Sequence, residues 1–286
     1  MRSGEDGKNN GEKLAFEDLT PYLLLKNGNY LYKVPFQGGW AVLKVYYGSR
    51  TPWQHFKKSF ENICAGQTSY FPKTRRRIEL ECLALWRRHG FRVFKTFEQV
   101  SVDTPNCPPG GYTLFEYVEA PKLDACLRDA ARPLEERKAL YRRFLAEWGR
   151  RHALAIAERE PRLVHENGDG KHVLIMPDGS FLWFDFEMIY RSRRDVALHV
   201  SHEIVQYIWY LNRNTVPDFQ ACLLAETAAH YPGPERLRDA YRYFFRHPNL
   251  AHRWARGLER RFKEKARSPD SKYGVARRLM DELSKT

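Results

Sequence analysis

The sequence lacks several features that would place it in common protein classes. No apolar run reaches the length of about 18 residues that a transmembrane helix needs, so none is predicted. The five cysteines are widely spaced and form no Cys-x-x-Cys pair, which argues against a structural zinc site or a disulfide framework. The polar N-terminus lacks the apolar centre of a secretory signal, so we expect a flexible tail over residues 1–15 and a cytoplasmic location.

Composition predicts a folded, strongly basic protein. Of the 286 residues, 43% are hydrophobic and 14% aromatic, enough for one large domain or two lobes and too many for wholesale disorder. The formal net charge of +13 attracts polyanions such as nucleic acid, anionic lipid, phosphorylated sugar or nucleotide, without choosing among them. Cations cluster at 75–77, 191–194 and 253–278, where solvated helix faces are the simplest interpretation.

The first half of the chain has the pattern of a small sheet with one inserted helix. Short apolar runs at 22–25, 30–34 and 40–47 are joined by tight turns, which predicts an antiparallel meander. Residues 74–89 have helical spacing, and 91–100 and 112–118 resemble two further strands. One stripe of the predicted helix carries its apolar side chains, namely Ile78, Cys82, Leu85 and Trp86.

The second half is mainly helical. The longest predicted helix runs from about Leu134 to Glu158, a hairpin follows within 163–186, and helical patterns resume at Val196. Strands segregated from helices indicate an α+β fold rather than a doubly wound sheet. We therefore expect a five-stranded N-lobe over 16–118 and a helical C-lobe over 119–286, with a cleft at their boundary.

Lys44 is the first candidate functional residue, because it interrupts the apolar third strand. A lysine there either faces solvent or holds nucleotide phosphates. The second role needs a carboxylate on the following helix, which offers Glu79 and Glu81. These two point in different directions around a helix, so both cannot face one cleft, and we prefer Glu79.

Asp185 and the loop after His165 form the second group of candidates. An aspartate that closes an apolar strand carries a desolvation penalty, which a bound Mg²⁺ would offset; capping the next element is the alternative. In the loop, Asn167 and His172 lie five residues apart. A kinase catalytic loop has this spacing between the group that orients the attacking hydroxyl and a magnesium ligand.

The order and spacing of Lys44, Glu79, the loop after His165 and Asp185 resemble those of the kinase-like superfamily. Within it, the chain is most similar to the lipopolysaccharide kinases that phosphorylate heptose or Kdo sugars of the inner core. The resemblance spans about 22–211. It rests on the strand around Lys44, the helix from Arg77-Ile78-Glu79 to His89-Gly90-Phe91, the loop 165–175, Asp185-Phe186-Glu187 and Arg194-Asp195-Val196.

The resemblance implies a bilobal protein-kinase-like fold with a small antiparallel-sheet N-lobe and a mainly helical C-lobe. Lys44 and Glu79 would position ATP, and the backbone of Glu116 and Val118 would hydrogen-bond its adenine as a hinge. Asp185 and His172 would hold Mg²⁺, because a histidine often occupies the usual magnesium-asparagine position in the heptose-kinase branch. His165 is expected to hold the loop rather than to act in catalysis.

The chain departs from the family pattern in two places. The family has a catalytic aspartate two residues after the loop histidine, where this chain has Asn167, which can orient a hydroxyl but cannot accept its proton as a carboxylate does. Asp169, flanked by Gly168 and Gly170, offers an acidic group if these glycines allow the loop to rearrange; otherwise it is a turn residue. The glycine-rich nucleotide loop is reduced to Gly28.

The leading hypothesis is an ATP- and Mg²⁺-dependent phosphotransferase acting on a sugar hydroxyl of lipopolysaccharide core, with Asn167 or Asp169 orienting the acceptor. A pseudokinase scaffold is the second hypothesis, and a protein or small-molecule kinase of a related branch is the third, although its His-Gly-Asp pattern is absent. Nucleic acid is not an expected partner, since no zinc finger, RNA-recognition motif or helix-turn-helix is found. The basic surface favours peripheral contact with an anionic membrane, on the inner face of the inner membrane. No feature indicates an oligomeric state.

Overall fold

A computed structural model describes residues 12–104 and 107–285, and it has the predicted α+β composition. A small antiparallel sheet lies in the N-terminal part of the chain, and helices predominate after it. The chain divides into two compact units, one built from residues up to 62, 69–77 and 94–119, the other from 63–68, 78–93 and 120 onward. Within the described part, no helix is both long and apolar enough to cross a membrane.

The secondary structure follows the chain order predicted from periodicity in most places. The strands are β1 (Lys13–Ala15), β2 (Leu23–Lys26), β3 (Tyr30–Phe36), β4 (Gly39–Val45), β5 (Arg92–Val93), β6 (Ser101–Asp103), β7 (Tyr112–Glu116), β8 (Val173–Ile175) and β9 (Phe181–Trp183). The helices are α1 (Pro52–Cys64), α2 (Pro72–Arg88), α3 (Leu123–Arg128), α4 (Leu134–Glu158), α5 (Val196–Asn214), α6 (Pro217–His230), α7 (Pro234–Phe245), α8 (Leu250–Phe262), α9 (Glu264–Arg267) and α10 (Lys272–Leu283).

The first unit is organised around a four-stranded antiparallel sheet in the order β2-β3-β4-β7. In β4 the alternate residues Ala41, Leu43 and Val45 point to one face and are buried there with Val34 and Leu114. This period-two burial identifies the core face of the sheet. Lys44 belongs to the opposite face.

The predicted strand over 91–100, the fourth in chain order, is wrong for most of its length and does not complete a five-stranded sheet. Its start, β5, pairs in parallel with β9 in the second unit. Further along, Thr96 makes only an isolated bridge to Phe115, next to the hydrogen bond from Phe97 N to Leu114 O. The run is broken because the chain passes from one unit to the other within it, and the apolar pattern does not record that passage.

The predicted flexible tail does not extend to residue 15, because residues 13–15 form a strand. Residues 1–11 lie outside the described residues. Lys13–Ala15 forms β1, which pairs in parallel with β6, and Ser101 N donates a hydrogen bond to Glu12 O. Backbone pairing fixes this segment although its side chains are largely exposed.

Arg75 corrects the expectation that the cationic cluster at 75–77 is a solvated helix face. Its side chain is fully buried in the first unit, where its guanidinium stacks on Tyr70 at 4.3 Å. It also donates hydrogen bonds to the carbonyls of Tyr46, at 3.0 Å, and Gly28, at 3.2 Å. Gly28 has a φ of +74°, the left-handed conformation that glycine readily adopts in the tight turn between β2 and β3.

The second unit is built on α4, whose predicted bounds are confirmed. The predicted apolar side of this helix is buried, with Leu140, Phe144, Trp148 and Ala155 all at 3% exposure or less. The predicted stripe of α2 is buried as well. A three-stranded sheet in the order β5-β9-β8 completes this unit and carries the loop residues described next.

Candidate active site

Asp185 and His172 lie together at the end of the β8–β9 hairpin in the second unit. Asp185 follows β9 with a φ of +75°, a conformation that only a small fraction of non-glycine residues adopt. Its carboxylate is one-third exposed, and Oδ2 lies 3.3 Å from His172 Nε2. The strained backbone therefore presents a partly accessible carboxylate beside a histidine, a combination found often at functional sites.

His172 lies between two carboxylates. On its other side, Nδ1 is 3.4 Å from Asp169 Oδ1. Asp169 also accepts a hydrogen bond from Lys171 N and pairs with Lys171 Nζ, both at 3.0 Å. These contacts make Asp169 the cap of the short 3-10 helix Gly170–His172, and they engage its carboxylate within the loop.

The flanking glycines do not supply the unusual backbone angles that a rearranged loop would need. Neither Gly168 nor Gly170 has a positive φ. A Cβ on Gly168 would lie 2.3 Å from the Tyr207 ring, and one on Gly170 would lie 2.8 Å from Leu211. Close packing against α5 explains why both positions are glycine, and a loop rearrangement that presents Asp169 stays a prediction.

Asn167 lies at the exposed tip of the same loop. Its neighbour Glu166 accepts a hydrogen bond from the Gln67 amide, and His165 N donates to Glu203 Oε2 at 2.8 Å. These two contacts fix the loop immediately before Asn167. Asn167 is accessible to a ligand, whereas Asp169 is 8% exposed.

His165 holds the loop, as the sequence indicated. Burial, followed by the nearby His172, lowers the pKa of His165 to about 3, so the ring is neutral. Its Nε2 faces the Asp185 carbonyl at 3.2 Å and Nδ1 faces Tyr207 Oη at 2.8 Å. Because a carbonyl only accepts, Nε2 carries the proton and Tyr207 donates to Nδ1. His165 thereby fixes the strained backbone of Asp185.

Glu203 on α5 anchors this loop, a role that the sequence did not predict. Its carboxylate is 1% exposed, pairs with the fully buried Arg151 and accepts a hydrogen bond from Trp148 Nε1 at 2.9 Å. Burial alone would raise the pKa of Glu203, but Arg151 and then His152 hold it well below its usual range. The only signal in the sequence is that Glu203 is the single acidic residue of a helical segment rich in apolar residues.

Trp86 from α2 forms the apolar support of the loop. Its ring lies 4.4 Å from Phe186 and 6.1 Å from His165, measured between centroids. Its indole Nε1 donates a hydrogen bond to Arg162 O at 2.7 Å. The residue that follows Asp185 is therefore packed against a buried aromatic platform, which limits movement of the hairpin end.

Lys44 belongs to the first unit and does not face solvent, because only 7% of it is exposed. Its ammonium lies 5.4 Å from the centroid of the Tyr46 ring, and its register partners are Leu31 and Thr113. A buried lysine needs polar or ionic partners. Burial contradicts the solvent-facing interpretation, and the role of Lys44 in holding nucleotide phosphates stays a prediction.

The two candidate glutamates of α2 differ in exposure. Glu79 is 3% exposed. Glu81 is about one-third exposed, and its carboxylate lies 3.6 Å from Arg162 in a surface ion pair. The preference for Glu79 agrees with this difference, and its pairing with Lys44 stays a prediction.

Glu116 ends β7, and Val118 follows it in the first unit. Glu116 N donates to Lys95 O at 3.1 Å, and its side chain accepts from Lys95 N at 2.8 Å. The amide of Glu116 is therefore engaged within the unit. Half-buried Val118 lies beyond the strand, and its role as a hinge donor to adenine stays a prediction.

The donor set fits Mg²⁺ at Asp185 better than at His172. Among residues 12–104 and 107–285, no group of three or more His, Cys, Asp or Glu side chains could hold a metal ion. Mg²⁺ needs fewer protein ligands, because it keeps several waters and takes one or two carboxylates with substrate phosphates. The accessible Asp185 carboxylate suits it, whereas the imidazole of His172 is a donor more typical of transition metals.

The buried histidines His152 and His165 make the stability of the second unit depend on pH. Burial lowers the pKa of His152 to about 4 and, with His172, that of His165 to about 3. Below the unfolded value of about 6.5, the unfolded chain binds protons that the folded chain does not, so stability falls as pH falls. Between pH 6.5 and 5.5 these two histidines contribute a loss of about 2 kcal/mol.

His199 and His202 of the same unit, whose pKa burial lowers to about 4 and about 3, contribute about as much again, so we expect a total loss of about 4 kcal/mol in urea unfolding. Equal urea midpoints at pH 7.5 and 5.5 for the unsubstituted chain would contradict the assignment of neutral, buried histidines.

Comparisons with known proteins add no family to these observations. A scan against protein-family models found no match, and a search of curated proteins found no similar sequence.

Proposed function

We propose that the chain is an ATP- and Mg²⁺-dependent phosphotransferase that acts on a hydroxyl of a heptose or Kdo sugar in lipopolysaccharide core. The observation that carries the proposal is the Asp185–His172 pair beside the Asn167 loop. The three residues follow each other in the chain order of a kinase catalytic loop and metal-binding aspartate, and a strained, buried framework holds them. The family resemblance supplies the substrate class.

Each residue has a distinct part in the proposed reaction. Bound Mg²⁺ would supply positive charge that offsets the negative charge of the phosphates. Asp185 would hold that ion, and His172 Nε2, 3.3 Å from its carboxylate, would orient the carboxylate by hydrogen bonding. Asn167 would orient the acceptor hydroxyl with its amide. Because phosphoryl transfer depends mainly on positioning and electrostatics, an amide in this place is compatible with transfer.

The proposal includes a bilobal protein-kinase-like arrangement of the two units. In that arrangement, Lys44 and Glu79 would position the phosphates of ATP, and the backbone near Glu116 and Val118 would contact its adenine. The burial of Lys44 and Glu79, at 7% and 3% exposure, supports these roles, because buried charges need partners. The net charge of +13 favours an anionic acceptor.

Replacing Lys44 tests the nucleotide-binding half of the proposal. Lys44→Met removes the ammonium but retains most of the side-chain volume, and we expect ATP affinity to fall about tenfold or more. Titration calorimetry with ATP and Mg²⁺ measures this directly. Lys26→Met is the matched control, since Lys26 is an exposed lysine in β2 of the same sheet. Equal ATP affinity in both variants would contradict the role of Lys44.

Asn167→Asp tests which loop residue faces the acceptor. If Asn167 occupies the position of the catalytic aspartate, a carboxylate there accepts the hydroxyl proton, and we expect the transfer rate to rise about tenfold or more. Asp169→Asn is expected to weaken the cap of the 3-10 helix and to leave transfer measurable. Transfer that is unchanged in Asn167→Asp and abolished in Asp169→Asn would reverse the two roles.

A pseudokinase is the second candidate function. Asn167 lacks a basic carboxylate, and the Asp169 carboxylate is engaged by Lys171 and by the turn that it caps. Both observations favour a chain that binds nucleotide with little turnover. Mg²⁺-dependent ATP binding by the wild type, with no transfer to core lipid and no gain in Asn167→Asp, would select this function.

A further inference from the structure

Helix α8 packs against its unit with its charged side and turns its apolar side outward. Arg256 stacks on Tyr243 at 3.9 Å, and Arg260 stacks on Phe245 at 4.7 Å. On the opposite side, Leu250, Trp254 and Phe262 are 67%, 70% and 73% exposed. Residues four apart share a helix side, so the exposed residues form a stripe, and none of the helix is buried. Packing within the unit does not account for this stripe.

The surroundings of the stripe are strongly basic. Arg253 and Arg261 on α8 are exposed beside it, and Lys265 and Arg267 follow on α9. A partner that covers the stripe and these neighbouring cations must therefore combine an apolar layer with negative charge.

We propose that α8 docks the chain on an anionic lipid bilayer. Trp254 and its neighbours enter the boundary between headgroups and acyl chains, and the surrounding arginines and lysines contact anionic headgroups. An amphipathic helix with Trp, Phe and Leu on one side and cations on the other binds membranes in this way. A second copy of the chain is disfavoured as the occupant, because both copies carry a net charge of +13.

Helix α1 provides the comparison within the chain. It is reversed in the same sense, with His55, Ser59 and Asn62 buried and Trp53 71% exposed. Its cations are fewer, and Lys58 pairs with Glu61 at 3.8 Å. Helix α1 therefore serves as a control: it exposes apolar side chains with few cations nearby, whereas α8 combines exposed apolar side chains with many cations.

Vesicle co-sedimentation without nucleotide tests the proposal independently of any kinase activity. The full chain is mixed with vesicles of phosphatidylcholine alone, or of phosphatidylcholine and phosphatidylglycerol in equal amounts. We expect binding to the anionic vesicles only. Trp254→Ser is expected to weaken that binding at least about tenfold, as is Arg253→Glu combined with Arg261→Glu. Trp53→Ser, the matched change on α1, is expected to leave most of the binding intact.

Three outcomes would overturn the proposal. If the wild-type chain does not bind anionic vesicles, a bilayer is excluded as the partner of the α8 stripe. Loss of binding in Trp53→Ser but not in Trp254→Ser moves the docking surface to α1. A wild-type dimer that Trp254→Ser converts to a monomer, without vesicle binding, identifies a second copy as the occupant. Circular dichroism confirms that each variant is folded, which the exposure of the replaced side chains favours.

Discussion

Asp185→Asn is expected to reduce phosphate transfer by about a thousandfold, because it removes the carboxylate that would hold Mg²⁺ against the developing charge. Asparagine is the appropriate replacement, since it retains the shape of the side chain and tolerates the φ of +75° at this position. Initial rates of transfer at saturating ATP and Mg²⁺ measure the effect, and ATP binding in the absence of Mg²⁺ is expected to change little.

Asp178→Asn is the matched control for this prediction. Asp178 lies in the turn of the same hairpin, where its exposed carboxylate accepts from Ser180 and pairs with Arg92. The same substitution there removes one negative charge at a similar place in the sequence without touching the candidate site. Comparable rates for Asp185→Asn and the wild type would show that Asp185 does not hold a catalytic ion.

Glu203→Gln is expected to destabilise the chain by about 3–5 kcal/mol, the largest stability effect that we predict. The change leaves the guanidinium of Arg151 fully buried without its counter-charge. It also weakens the acceptor of the hydrogen bond from His165 N, so the loop that carries Asn167 loses its anchor. Urea unfolding followed by circular dichroism measures the loss of stability.

Two variants show whether burial of the ion pair causes this loss. Glu226→Gln removes an equivalent pair, in which Glu226 accepts two hydrogen bonds from the half-exposed Arg142, and we expect a much smaller effect because water solvates the remaining charge. Glu203→Leu combined with Arg151→Met removes both buried charges, and we expect it to recover much of the lost stability. Equal losses in Glu203→Gln and Glu226→Gln would contradict this explanation.

Periodicity predicted the elements whose apolar side faces their own unit. The bounds of α4 and the buried stripe of α2 follow directly from residues three and four apart, because burial of such a stripe drives helix packing. Lys44 and Asp185 were identifiable because a charged residue inside an apolar strand is costly without a partner. Local pattern and local energetics are enough in these places.

The sequence did not predict features that depend on distant partners. Glu203 binds Arg151, 52 residues away, and no local pattern relates the two. The roles of Gly168 and Gly170 depend on close packing against α5 rather than on their own backbone angles. Amphipathic spacing in α8 is readable, but it does not reveal that the charged side faces inward.

The central claim is phosphate transfer, and the most direct measurement is the movement of label from ATP with a radioactive γ-phosphate to core lipid that contains heptose or Kdo. We predict that the wild-type chain labels this lipid with Mg²⁺ present and fails to do so when Mg²⁺ is chelated. A folded wild-type chain that neither labels the lipid nor binds ATP would contradict the account.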